Sequence, residues 1–202
     1  MLYFTAEYED REKLLALGAK WDFARGQWYV DSVEDYKKFS DWIDGKIITD
    51  ELYILEAEKL CPFCGKKTKL AAVACGEYFE NFITQKFGKG FINILYGFEN
   101  IFGGIAEWLK KRFPVKQRYG GAYGYKYLSN GCAHCGKLFA DGYLFGDEDS
   151  PFYITDAAKA QKLKLYRAEL AFDIALDGKI IWAFDKSLFK ECLQLNATGL
   201  IL

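Results

Sequence analysis

The sequence predicts an α+β protein in two parts: a small β-α-β-β-α module over residues 1–45 and a larger α+β unit over residues 46–202. Three observations carry that expectation. Short aromatic segments alternate with short helical patterns through the first part. The spacing Cys-x-x-Cys followed by Gly-Lys then occurs twice, at Cys61–Cys64 and Cys132–Cys135. An alternating apolar run interrupted by Asp177-Gly178 closes the second part, the pattern of a C-terminal β-hairpin.

In the first part, Leu2 to Thr5 suit a short strand. Asp10 is placed to cap a helix over Arg11 to Leu17, and Gly18 to end it in the left-handed conformation. "AKW" and "QWYV" read as a hairpin around the polar, Gly-containing "DFARG". Ser32 with Asp35 three residues later starts a second helix that runs through Trp42.

The run "LLALGAKWDFARGQWYV" followed by an acidic helix resembles a small domain of unknown function found in bacterial, plasmid and phage proteins, often beside primase-like modules. Its matching positions are Leu17, Gly18, Ala19, Lys20, Trp21, Asp22, Trp28, Tyr29 and Val30. The resemblance makes Lys20 and Arg25 candidate nucleic-acid contacts, with Trp21 and Trp28 either stacking bases or filling the module's core. The charge opposes phosphate, since residues 1–45 hold ten acidic side chains against six basic ones.

The paired cysteines are the strongest chemical signal. In a metal knuckle the backbone N–H groups turn toward the thiolates, and a Gly after the second Cys permits the tight reversal. Two such knuckles supply the four ligands of one structural Zn2+: Cys61, Cys64, Cys132 and Cys135. The 67 residues between Cys64 and Cys132 then form a folded insertion, 65–131, with its ends at the metal. Thiol redox chemistry is the weaker alternative, because no β-α-β pattern surrounds either pair. His134, the only histidine, sits inside a knuckle and is expected beside the ligand set rather than in it. Cys75 and Cys192 are expected to be buried free thiols.

Within the insertion, "TKLAAVAC" suggests a strand, "NIFGGIAEWLKKRF" an amphipathic helix stopped by Pro114, and "GGAYGYKYLS" a strand returning to the second knuckle. "KFGKGFINILYGF" fits helix or strand. From Trp108 to Tyr127 there are six Lys or Arg and no acid, interleaved with Tyr119, Tyr123, Tyr125 and Tyr127. Lys110, Lys111, Arg112, Lys116, Arg118 and Tyr119 are therefore the main candidate nucleic-acid contacts, although surface charge runs of this kind more often belong to a solvated helix end and a core-facing strand.

The segment "YLSNGCAHCGKLFADGYLFGDEDSPFY" resembles a bacterial zinc-ribbon-like family in which an aromatic strand, an Asn, two knuckle cysteines and an acidic turn follow a first C-P-x-C-G knuckle. The matching residues are Tyr127, Asn130, Cys132, Cys135, Gly136, Asp141, Tyr143, Leu144, Phe145 and Phe152. Gly131 stands where the family often has His, and Ala140-Asp141 replaces its usual Gly-Asp. The resemblance implies zinc and architecture, with no activity attached.

A net charge of -1 advertises no general attraction to nucleic acid or anionic lipid, so any such surface is local. The sequence shows no signal-peptide plan or membrane span, which points to a cytoplasmic protein. It also lacks a P-loop, a Rossmann fingerprint, a Ser-His-Asp set and a metal-hydrolase motif, and no small-molecule substrate is indicated. The expected function is a zinc-stabilised, non-enzymatic binding or adaptor protein with a nucleic-acid or protein partner. The alternative is a purely protein–protein interaction module.

Overall fold

The computed structural model describes residues 1–49, 51–80, 86–101, 103–121, 124–190 and 192–200. The fold is mixed α+β, mostly strands with few helices. In chain order come β1 (Leu2–Phe4), α1 (Arg11–Ala16), β2 (Lys20–Asp22), β3 (Gln27–Val30), β4 (Lys46–Ile48), β5 (Glu51–Leu60), β6 (Lys67–Cys75), β7 (Tyr78–Phe79), β8 (Lys86–Phe87) and β9 (Phe91–Tyr96). Then follow α2 (Gly103–Arg112), β10 (Val115–Gly120), β11 (Tyr125–Asn130), α3 (Asp141–Phe145), α4 (Ala157–Ala160), β12 (Lys164–Glu169), β13 (Ile174–Leu176), β14 (Lys179–Asp185) and β15 (Leu193–Asn196).

A six-stranded sheet ordered β14-β9-β6-β5-β12-β15 forms the middle layer. Strands β5 and β6 pair antiparallel from Leu52↔Cys75 to Leu60↔Lys67, so the first knuckle is the tip of a long hairpin. Their side chains alternate between two cores. Tyr53, Leu55, Leu70 and Ala72 face one that holds Phe139, Phe145, Phe152 and Phe189. Leu52, Ile54, Ala71 and Val73 face another that holds Ile105, Trp108 and Leu109 of α2. Burial on both faces explains the unbroken apolar runs 52–55 in β5 and 70–75 in β6. Segment 65–131 supplies β6 and β9, two interior strands of this sheet.

Two buried carboxylates interrupt β5, and each is fully engaged. Glu56 accepts from Lys164 Nζ (2.9 Å) and the Tyr166 hydroxyl (2.8 Å) and pairs with Lys69. Glu51 accepts from the Tyr53 hydroxyl and pairs with Lys186 and Arg167. Burial opposes ionisation of both, yet these partners hold them below the ordinary glutamate value.

The N-terminal segment forms a three-stranded sheet, β1-β3-β2, under α1. Gly18 ends the helix at φ 94° as expected. Three details differ from the sequence expectation. Asp10 makes no capping bond; its carboxylate accepts from Trp42 Nε1 at 2.7 Å. The second helix is a 3₁₀ segment, Val33–Phe39, whose three-residue turn aligns the buried Tyr36 and Phe39 on one face. The Ser32 hydroxyl goes to Glu34 rather than to the helix backbone. The module's core extends into Ile47 and Phe79, and Leu2 bridges to Asp173.

The C-terminal β-hairpin expected around Asp177-Gly178 does not form. Strand β13 pairs with β4 in a four-stranded sheet, whereas β14 pairs with β9 in the six-stranded one. The alternation of Phe172, Ile174 and Leu176 is genuine and all three are buried. The connection changes sheets because Asp177 accepts from the Asn100 amide (2.7 Å) and Gly178 lies against the Phe98 ring, where a Cβ would sit 2.4 Å from Cε1.

Candidate metal centre and its cationic border

The two knuckles fold identically, and the sequence explains why. In the first, Cys61 N donates to Lys66 O (2.9 Å) and Gly65 N to Cys61 O (2.8 Å). In the second, Cys132 N donates to Lys137 O (2.9 Å) and Gly136 N to Cys132 O (3.0 Å). Gly65 and Gly136 adopt φ 69° and 71°, the left-handed turn that a side chain disfavours.

The knuckles meet. The Sγ atoms of Cys61, Cys64, Cys132 and Cys135 all lie within 4.8 Å of one another. The closest pairs are Cys61–Cys135 at 3.7 Å and Cys64–Cys132 at 3.6 Å. Four sulfurs arranged tetrahedrally at metal–sulfur distances of about 2.3 Å lie about 3.8 Å apart, so the spacing fits one four-coordinate metal ion. It is too long for a disulfide, and all six cysteines are free. Cys61 and Cys132 are buried, whereas Cys64 and Cys135 are exposed.

Crowding splits the thiol acidities. Burial opposes ionisation of Cys132, but the backbone N–H groups of Cys135 and His134 and the thiols of Cys61 and Cys64 outweigh it and lower its pKa to about 6. Cys64 receives a favourable backbone bond from Lys66, yet desolvation and the neighbouring sulfurs push it up to about 11. A cation at the centre would favour the thiolate form of each.

The residues that carry the zinc-ribbon-like resemblance hold the knuckles in register. Asn130, two residues before Cys132, accepts from Ala71 N and donates to Ala71 O, both at 2.8 Å, clamping β11 to β6. Tyr127 donates to Asp141 (2.9 Å), and Tyr143 donates to the carbonyl of Leu60 (2.6 Å), adjacent to Cys61. Ala133 N donates to Thr68 Oγ1 (3.1 Å), joining the two knuckles directly. His134 is exposed; its Nε2 lies 3.0 Å from Lys67 O, outside the sulfur cluster. Cys75 and Cys192 are buried, and burial raises their thiols to about 12 and about 11.

The basic stretch runs beside the second knuckle. Pro114 O accepts from Gly131 N (2.8 Å), and β10 pairs with β11 from Val115↔Asn130 to Gly120↔Tyr125. This register brings Lys116 Nζ to 3.7 Å from the position a Gly136 Cβ would take. Arg118 donates to Phe139 O (2.9 Å), and Arg112 donates to Thr198 O (2.9 Å) while its guanidinium covers Trp108. Lys110, Lys111 and Lys116 are exposed, as is the Tyr119 ring. Tyr127 is buried, and the Tyr125 hydroxyl donates to Gly97 O. Phe102 and Tyr123 lie outside the described residues. Lys66 and Lys137, one in each knuckle, are exposed, as is Phe63 at the first knuckle's tip. Sequence reasoning did not single these three out; for the lysines, their repetition after each Cys-Gly was the available signal.

Lys20 and Arg25 lie in the N-terminal module, apart from the basic stretch in sequence. Lys20 pairs with Asp31 at 2.5 Å, and the Arg25 guanidinium lies over the rings of Tyr3 and Phe172. Trp28 is core, whereas Trp21, in edge-on contact with it at 5.2 Å, remains 39% exposed. Residues 1–44 match the family model described as Domain of unknown function (DUF5710). The DUF5710 match includes β1, α1, β2, β3 and the 3₁₀ segment and stops before β4. No curated protein and no solved structure matches the chain. Among the described residues, no helix is long and apolar enough to cross a membrane.

Proposed function

We propose that the protein is a zinc-stabilised, non-catalytic binding protein whose metal-bearing end contacts nucleic acid. What carries this proposal is one juxtaposition: Lys116 and Arg118 of the cationic stretch lie against the second knuckle of the four-cysteine cluster, whose halves are 67 residues apart in the chain. Zinc is the metal favoured by four thiolates in two knuckles of this type, and it would act as a structural ion, since a fourth thiolate leaves no open position for a substrate.

The border of the site supplies the binding chemistry. Among the described residues, Lys66, Lys116 and Lys137 form no ion pair with an acid, and Lys110 and Lys111 extend the same charge along α2. Exposed Phe63 and Tyr119 offer faces for stacking. Cations that follow a phosphate backbone beside exposed rings suit single strands without strong sequence preference.

The test is fluorescence anisotropy of a labelled single-stranded oligonucleotide, with a duplex of the same sequence for comparison. Binding is expected at low salt, with log K falling linearly against log salt. Replacing Lys110, Lys111 and Lys116 by Gln should flatten that slope by about 0.7 for each phosphate that is no longer neutralised. No binding at low salt, or a slope unchanged by the substitutions, would refute the proposal.

A further inference from the structure

The N-terminal module leaves part of its core face uncovered. Trp21 and Trp28 are directly paired across β2 and β3 and project to the same side. Leu14 of α1 and Trp28 are buried in one core, but Leu15 (51%), Trp21 (39%), Tyr8 (79%) and Phe23 (91%) remain exposed. Together with Arg11 they line a groove of about 680 Å³ between α1 and β2. That is the size of a pocket that takes several side chains, and it is mainly apolar. Scattered exposed rings need no explanation, whereas a contiguous set beside a helix does.

The groove lies along a sheet edge. In the order β1-β3-β2, strand β2 pairs only with β3 among the described residues. An edge strand with a helix alongside is the arrangement in which an extended peptide adds a further strand: main-chain bonds go to the edge, and alternate side chains enter the groove. Charge narrows the occupant. Lys20 is committed to Asp31, but Arg11, on the groove wall, has no acidic partner among the described residues. The module's ten acidic side chains against six basic ones oppose a phosphate backbone, while a single carboxylate facing Arg11 is accommodated.

We propose that this groove binds an extended peptide segment of a partner protein, added as a strand to β2, with apolar side chains at alternate positions and one acidic side chain facing Arg11. The site is independent of the metal-bearing end, so either proposal can fail alone.

The experiment is a display selection of random decapeptides on the full chain, followed by anisotropy with the selected peptides made synthetically and labelled with fluorescein. Enriched peptides are expected to share apolar residues at alternate positions and one Asp or Glu. Arg11→Glu and Leu15→Glu should each weaken them by about tenfold or more, an equilibrium ratio read directly. Both side chains are exposed, and unchanged thermal melts of the variants will show intact folding. Methylating the peptide's amides at one set of alternate positions should abolish binding while the other set is tolerated. Four results would overturn the proposal: no enriched pattern, binding indifferent to both substitutions, displacement of the peptides by a thymidine decamer, or dimerisation of the chain that Leu15→Glu abolishes.

Discussion

At the scale of single residues, the four clustered cysteines and the residues that hold them were legible to different degrees. Cys61, Cys64, Cys132 and Cys135 could be paired from spacing alone, because the two knuckles share their Cys-Gly-Lys ending. What Asn130 does could not be read that way, since its partner Ala71 is remote in sequence and offers only backbone atoms. Asn130→Ala would leave a buried N–H and C=O of Ala71 without partners, and a loss of about 3 kcal/mol in urea denaturation is expected. The thiols predict a pH dependence. Despite burial, backbone N–H groups and neighbouring thiols lower Cys132; despite a backbone bond from Lys66, desolvation and the other sulfurs raise Cys64, so the four sulfurs do not all ionise without a cation at neutral pH. Protons compete with the metal for all four thiolates, so metal occupancy, followed by competition with a chromogenic chelator, should fall as pH falls, and Cys64, raised to about 11, should release a proton on metal uptake at neutral pH.

At the scale of elements, local stop and turn signals were legible, whereas the caps expected at Asp10 and Ser32 and the membership of the sheets were not. Gly18, the β2–β3 turn and the α2 stop at Pro114 follow from local conformational rules. The strand nature of β5 was hidden because Glu51 and Glu56 interrupt its apolar pattern; their partners come from β6, β12 and the segment after β14. The Asp177-Gly178 pair misled for a similar reason, since a two-residue turn signal does not reveal that the next strand joins a different sheet. Gly45 tests how tightly that corner is built. It has φ +86°, and a Cβ there would lie 2.2 Å from the carbonyl oxygen of Leu176. Gly45→Ala should destabilise the fold by about 3 kcal/mol through backbone strain plus overlap. Gly18→Ala, where φ is +94° and nothing lies within 4 Å, should cost about 1 kcal/mol from strain alone. Equal effects in urea denaturation would show that the overlap with Leu176 contributes nothing.

At the scale of the molecule, the four-cysteine cluster joins the tip of the β5–β6 hairpin to the segment that follows β11, and a central sheet buried on both faces lies behind that junction. The cationic stretch is legible as composition but becomes a surface only when β10 is laid beside the second knuckle. The exposed groove of the N-terminal module was not legible at all, because Trp21 and Trp28 look alike in sequence and only the folded module buries one and leaves the other exposed. Everything proposed for the metal-bearing end depends on four thiolates sharing one ion. The direct measurement is elemental analysis of metal per chain for the protein purified under reducing conditions, beside its Cys132→Ser variant. One zinc per chain, lost or weakened by at least about tenfold in the variant, is the result expected from removing one of four ligands. A protein that carries no metal, or a variant that retains it undiminished, would contradict the account.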